Sequence, residues 1–387
     1  MRSKRKKVAL LIEASNSYAR GLLSGVIAFE QQYSAWSIYL PEHQRRGVIP
    51  LERLKDWKVD GILARIETQK IADLITSLNV PTVDLSAGRL VEGIPWVETD
   101  NQAIAELAAN HLLERGFRNF GFLGEAGFNW SQWRWLEFQK YLAPKGHQCE
   151  LFESLLTTDE NYSWQSEVDR LGEWITSLPK PVGIFASYDI SAQRLLDVCR
   201  DLEIAVPEQV AVIGVDNDSL ICEICSPSLT SIELNTYDTG FHAAMLLEKM
   251  MNGEEVKQKG TFFGPITVRE RLSTDTVAVE DVEVARALEY IRENATYNIS
   301  VNDVLQHVDI SRRKLEIRFK EILGRSPHKE IQYRRLFRVK QLLRDTELSV
   351  AEIARLTGFQ HPEYLSVVFS RETGIAMHEF RLKEKKN

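Results

Sequence analysis

No apolar run in this 387-residue chain reaches the ~18 residues that a membrane helix needs, so no membrane span is expected. The opening MRSKRKKVALLIEAS has the basic-then-apolar order of a secretory leader. However, VALLI stops at Glu13 and no small-residue cleavage site follows, so the stretch is expected to form a first buried strand. Cysteine is scarce. Cys149, Cys199, Cys222 and Cys225 have no framework spacing, which fits a reducing cytoplasm. Cys222 and Cys225 form a lone C-x-x-C without a second pair or a nearby His-x3-His, so they are expected to be two ordinary thiols in a loop. Catalytic signatures are missing too. There is no G-x-S-x-G and no H-E-x-x-H, and GFLGEAG (121–127) lacks both the P-loop Lys-Ser/Thr and the dinucleotide spacing. Without a coherent nucleophile–base set, no enzyme, cofactor or metal is expected.

What is present is an ordinary globular composition, 44% hydrophobic and 27% charged, in a chain long enough for two or three domains. Its charge is unevenly divided. Residues 281–387 hold 20 Lys+Arg against 16 Asp+Glu, whereas residues 1–280 hold 28 against 39. Within 311–344 there are 12 basic residues and 3 acidic ones. A charge run is usually a solvated face, but a sign change confined to one terminal segment points to a polyanionic partner there.

From residue 8 to about 270, short apolar runs alternate with helix-length segments: VALLIE, WSIYL, VDGILAR, VPTVDLS, NFGFLGE, PVGIFASYD, VAVIGVDN and LTSIEL. In DNQAIAELAANHLLERG, Asp100 is placed as an N-cap, Ile104, Leu107, Ala108 and Leu112 share one face, and Gly116 ends the helix. This alternation predicts parallel sheets covered by helices, two of them side by side, with ligands bound at the C-terminal ends of the strands. Asp84, Asp189 and Asp216 each follow an apolar strand, as do Asn16 and Tyr18 after the first. A lone Asp there can be a cap or turn residue, whereas several converging on one crevice would make a neutral polyol site.

RERLSTDTVAVEDVEV (269–284) marks a change of style, with a linker at about 272–281. Beyond it the chain reads as helical and repeats itself. Ser300 and Val304 match Ser349 and Ile353, while Leu315, Phe319 and Gly324 match Leu365, Phe369 and Gly374. Each copy is a short helix, a tight turn and a second helix, and PHKEIQYRRLFRVKQLLR forms one long helix between them. With Leu315 and Phe319 inward, Arg312, Arg313, Glu316 and Ile317 face outward from the early turns, where a recognition helix meets base edges. Lys314 and Arg318 add to that cationic helix.

LSVAEIARLTGFQHPEYLSVVFSRETG followed by HEFR resembles the AraC/XylS-type DNA-binding domain, over about 285–382. Met377 stands where that family usually has Pro, and Phe380-Arg381 replaces its closing Tyr-Arg. The second recognition helix would present His361, Pro362, Glu363, Ser366 and Val367, a set poor in cations. Residues 8–272 resemble the LacI/GalR-type effector domain, the periplasmic-binding-protein type I fold. VETDNQAIAELAANHLLERGFRNFGFLG, IFASYDISAQRLLDVCRDLEIAVPEQVAVIGVDND and PSLTSIE carry that match. The pairing, together with KDWKVDGILA, NYSWQSEVDRLGEWITSLP and RERLSTD, resembles the xylose operon regulator family.

The resemblance implies a sugar-induced transcription activator of pentose catabolism. Sugar-binding positions carry over to Arg134, Asp189 and Asp216, with Asn16 and Tyr18 from the first-strand loop and Asp84 beside them. The expected partners are double-stranded operator DNA, D-xylose, a second copy in a homodimer, and RNA polymerase. Repression, or response to another sugar, stays open at this point. A receptor that does not bind DNA is disfavoured by the helical tail. The expected division is a two-lobed α/β sensor over 1–275, a linker over 276–284, and an all-α reader with two helix-turn-helix units over 285–387.

Overall fold

The computed structural model describes residues 5–33, 36–41, 54, 57–155, 162–257, 259–275, 279 and 281–384. The chain divides into two compact units, Met1–Asp275 and Thr276–Asn387. The first unit holds two six-stranded sheets, ordered β11-β5-β4-β3-β1-β2 and β12-β10-β9-β8-β6-β7. Its strands are β1 (Lys6–Leu11), β2 (Trp36–Tyr39), β3 (Gly61–Ala64), β4 (Thr82–Asp84), β5 (Trp96–Thr99), β6 (Asn119–Glu125), β7 (Cys149–Ser154), β8 (Val182–Ala186), β9 (Val210–Val215), β10 (Thr230–Leu234), β11 (Gly260–Phe263) and β12 (Pro265–Arg269). Among the described residues every strand pairing is parallel except that of β12 with β10. Helices α1 (Ser17–Tyr33), α2 (Gln69–Leu78), α3 (Asn101–Glu114), α4 (Asn129–Leu142), α5 (Trp164–Ser177), α6 (Asp189–Asp201), α7 (Ser219–Ile224) and α8 (Thr236–Met251) fill the connections.

The central strands are apolar because both of their faces are covered: Gly61–Ala64, Val182–Ala186 and Val210–Val215 are buried throughout. The opening segment is a strand, with Val8–Leu11 buried. Helices α1 and α8 pack closely, since a Cβ on Gly25 would lie 2.0 Å from the Tyr237 carbonyl and one on Gly240 2.1 Å from that of Leu22. The Asp100 carboxylate caps α3 by accepting from the Ala103 amide at 3.0 Å, and Gly116 ends it at φ 85°. Leu107 is only partly buried, and Ala105 and Ala109 take the inner face instead. Between the sheets the chain crosses after β5, after β10 and between β11 and β12.

Residues 272–274, assigned by composition to the linker, are a short 3-10 turn of the first unit. Ser273 donates through Oγ to the Val212 carbonyl at 2.6 Å, and Thr274 Oγ1 pairs with His111 Nε2 at 2.8 Å. The next helix starts at Val282, capped by Asp281, so the end of the 276–284 span is already helical. Residues 276–278 and 280 lie outside the described residues.

The second unit comprises α9 (Val282–Asn294), α10 (Val301–Leu305), α11 (Arg312–Leu323), α12 (Pro327–Asp345), α13 (Val350–Leu356), α14 (Pro362–Thr373) and α15 (Met377–Glu384). The internal repeat is visible in its chemistry. Ser300 with Asp303, and Ser349 with Glu352, form reciprocal capping boxes. Leu315 and Phe319 are buried in one core, Leu365 and Phe369 in another, and Gly324 and Gly374 end their helices at φ 70° and 76°. Helix α12 spans 19 residues, ~28 Å at the helical rise, and sends Ile331 into the first core and Leu336, Val339 and Leu343 into the second. Met377 is buried in the second core, and Arg381 Nη2 donates to the Leu348 carbonyl at 2.6 Å.

Candidate functional site

A cavity of about 590 Å3 in the first unit is walled by residues at or just past the C-terminal ends of β1, β3, β4, β5, β6, β8 and β9. Asp216 follows β9 with φ 107°, and Asn217 follows at 49°, a positive-φ pair that costs about 1–3 kcal/mol per residue and persists only where the surroundings hold it. They are held: the Asp216 amide donates to the Ile232 carbonyl at 3.0 Å, and the Asn217 amide to Ser231 Oγ at 2.9 Å. Among the described residues none donates a hydrogen bond to the Asp216 carboxylate, which lines the cavity. Burial raises its pKa, with the positive charges of Arg134 and Arg65 acting against that rise.

Asp189 also lines the cavity, but its carboxylate is engaged from behind. One oxygen accepts from Ser231 Oγ at 2.6 Å; the other accepts from the Asp218 amide at 2.8 Å and from the Cys222 thiol at 3.5 Å. Burial and the neighbouring Asp216 charge raise its pKa. Cys222 is therefore a buried thiol of α7 rather than a loop residue, and no group of metal-ligating side chains occurs among the described residues. Arg134 is buried in α4 and does not itself line the cavity. Its Nε donates to Asn101 Oδ1 at 3.0 Å, its Nη1 donates to the Ser187 carbonyl at 2.5 Å, and its guanidinium lies 5.2 Å from the Trp130 ring centre.

Asn16 and Tyr18 both line the cavity, Asn16 with its Oδ1 capping α1 through the Ala19 amide at 2.8 Å. Burial, then the Glu98 charge, raises the Tyr18 pKa. Asp84 does not belong to the set. Its Oδ1 accepts from the Ser86 amide at 2.9 Å, Ser86 Oγ at 2.8 Å and the Ile66 amide at 3.3 Å, so it ties strand ends together as a turn residue.

Sequence reasoning missed Arg65, Glu98, Glu125 and Trp130. Arg65 directly follows β3 and Glu125 ends β6, so the rule that found Asp216 would have found them, whereas Glu98 lies inside the short strand β5, which has no apolar run to mark it. Arg65 bridges Glu13 and Glu67, which keep it charged against burial. Its Nε and Glu98 Oε2 are buried without a partner among the described residues, and the Glu125 carboxyl is met only by the Tyr188 hydroxyl there. Burial pushes the Glu125 carboxyl up to about 7. Trp130 sits between Phe128 and Tyr188, with ring centres 5.4 and 5.7 Å away. Carboxylate acceptors, a buried guanidinium donor and an indole face suit a neutral polyhydroxylated ligand.

In the second unit, Arg312, Arg313, Lys314, Glu316 and Ile317 are exposed on α11. Arg312 Nε pairs with Glu316 Oε1 at 3.0 Å, while the Arg313 and Lys314 side chains bond to none of the described residues. Arg318 points elsewhere: its Nη1 lies 2.7 Å from Asp281 Oδ2, bracing α11 against the start of α9, so it leaves the outward set. On α14, His361, Glu363, Tyr364 and Val367 are exposed. Ser366 is not, because its hydroxyl donates to the Pro362 carbonyl at 3.0 Å and faces Met377. Tyr364 takes an outward position that sequence reasoning did not assign.

Comparison with known proteins matches three family models: a XylR N-terminal domain at residues 7–102, a periplasmic binding protein-like domain at 109–274 and a helix-turn-helix domain at 304–383. The chain is 34% identical to the xylose operon regulatory protein of Escherichia coli strain K12, over 98% of both chains. It is 33% identical to that of Haemophilus influenzae, over 97% of this chain and 98% of the other. A solved structure of a xylose-binding transcription activator, xylR, superposes with a TM-score of 0.86 at 32% identity, covering 98% of this chain and 99% of that one. The transcription regulator CcpA of Lactococcus lactis shares the fold over 70% of this chain, with a TM-score of 0.58. A two-sheet sensor and a doubled helix-turn-helix unit on one chain, matched along nearly the whole length by regulators rather than enzymes, place this protein in the xylose operon regulator family of DNA-binding transcriptional regulators.

Proposed function

We propose that this protein is a cytoplasmic activator that binds D-xylose in the interlobe cavity and operator DNA through α11 and α14. The observation that carries the reading is the cavity carboxylate of Asp216, which accepts from no donor among the described residues and feels the positive charges of Arg134 and Arg65. Such a group accepts sugar hydroxyls, and Asp189 holds the Asp216–Asn217 turn in place through Ser231 and the Asp218 amide. Arg134 steadies the Asp216 charge, while Asn16 and Tyr18 close the first-lobe side. In the reader, Arg313 and Lys314 supply the unpaired cations, and Arg312 and Glu316 supply a paired edge for base contacts.

Two copies, each with two helix-turn-helix units, would occupy two half-sites and meet RNA polymerase beside them. Sugar acts by binding one sensor conformation more tightly than the other, a coupling commonly worth about 1–3 kcal/mol. Calorimetry of the full chain with D-xylose is the test. Saturable binding is expected, and a chain that binds no pentose would remove the sensor half of the reading.

A further inference from the structure

We propose that Glu98, through its Oε2, is a first-lobe acceptor for a sugar hydroxyl, opposite Asp216 of the second lobe. The inference rests on the sugar-sensor reading above and adds a residue to it. Glu98 lies in β5, one residue before the chain leaves the first sheet, is only 4% exposed, and lines the cavity. Its two oxygens are treated differently. Oε1 accepts from the Thr99 amide at 2.8 Å and from Thr99 Oγ1 at 3.0 Å, which fixes the carboxylate plane. Oε2 is buried and has no partner among the described residues. An unmatched buried carboxylate oxygen is costly, and native proteins keep such groups chiefly where a ligand or water completes them.

The bland alternative is that a nearby cation satisfies it, and the geometry argues against that. Arg89 is near enough to act on the Glu98 charge, but its guanidinium is stacked 3.7 Å from the Trp96 ring centre and donates to the Ser86 carbonyl. Arg134 is likewise near, with its Nε and Nη1 committed to Asn101 and Ser187. The surroundings thus balance the charge of Glu98 without occupying its acceptor. That is the arrangement a neutral hydroxyl donor needs. A ligand with its own negative charge would meet Glu98 and Asp216 together, so the class selected is an uncharged, unphosphorylated sugar.

The test is calorimetry of the full chain and of Glu98→Gln, with D-xylose and its 2-, 3- and 4-deoxy analogues, alongside melting of the unliganded proteins. Glu98→Gln can keep the Oε1 acceptor while replacing the Oε2 acceptor with an uncharged amide NH2, which only donates. It should weaken D-xylose binding about 10- to 100-fold while leaving the unliganded melting temperature equal or higher. One deoxy analogue should bind wild type weakly and yet bind the variant as well as D-xylose does, because the lost hydroxyl and the lost acceptor are one contact. Should the glutamine variant fold poorly, Glu98→Ala carries the same cycle. A lower melting temperature with unchanged affinity would assign Glu98 a structural role and overturn the proposal. Wild-type protein that binds no D-xylose would sink the sugar reading itself, and Glu98 with it. Wild-type binding with an insensitive variant sinks Glu98 alone.

Discussion

In the sensor cavity Glu98, Asp189 and Glu125 are withdrawn from solvent and sit among other charges, and burial raises the pKa of each. On α11 the side chains of Arg313 and Lys314 stand in solvent, outside any ion pair among the described residues. The difference fits the two kinds of partner. A small neutral ligand is held by a few directional acceptors made stronger by dehydration, whereas a polyanion is held by many solvated cations whose attraction is collective and screened by salt.

Salt separates the two regions most sharply. If the cations of 312–344 meet about six phosphates, operator affinity should fall ~1000-fold between about 50 and 200 mM salt. D-xylose affinity over the same range should change less than about twofold, because its contacts are buried and carry no net charge transfer. A flat salt dependence of DNA binding, measured by anisotropy, would contradict the role of the cationic face.

Next in size is Asp216→Ala, which removes the free cavity acceptor and should weaken D-xylose binding about 30- to 150-fold. DNA binding by the unliganded variant should match wild type, so undiminished sugar affinity by calorimetry would reject the assignment. The mirror experiment is Arg313→Ala, expected to cost about 1–3 kcal/mol in operator binding and to relax preference at one base position. Val367→Ala, at an apolar outward position of α14, should cost less. Equal losses in a binding-site selection would show that both recognition helices read bases alike.

The smallest effect is a pH dependence of the unliganded sensor. The Glu125 carboxyl moves from its ordinary 4.5 to about 7, so the folded protein holds a proton that the unfolded chain gives up. Stability from this group therefore declines as pH rises through that window. Glu125→Gln should melt with wild type below the window and gain on it progressively toward pH ~7. A constant difference across the range would place the titration elsewhere.

Much of this fold was legible in the sequence for a physical reason. Strands buried on both faces, such as Val182–Ala186, carry unbroken apolar runs. Four strands escaped notice: β7, β11 and β12 end their sheets with partly exposed and more polar residues, and β5, inside its sheet, is a four-residue strand in which Glu98 and Thr99 interrupt the apolar run. The helical repeat was readable because Leu315, Phe319 and Gly324 must recur wherever the same packing recurs. The site was only half legible. Asp84 and Asp216 look alike in sequence, each ending an apolar run, and only the Ser86 and Ile66 donors around Asp84 separate a turn residue from a ligand acceptor. Arg318 has helical spacing suited to DNA, and Asp281, 37 residues earlier, turns it inward.

The central claim, that one chain couples sugar to DNA, is tested by titrating operator DNA into the full chain with and without saturating D-xylose. The operator is first selected from a random duplex pool by the sugar-loaded protein. The account predicts that D-xylose tightens operator binding by about 5- to 150-fold, and that operator tightens D-xylose binding by the same factor. Equal operator affinity in the two titrations, with D-xylose shown to be bound, would contradict it.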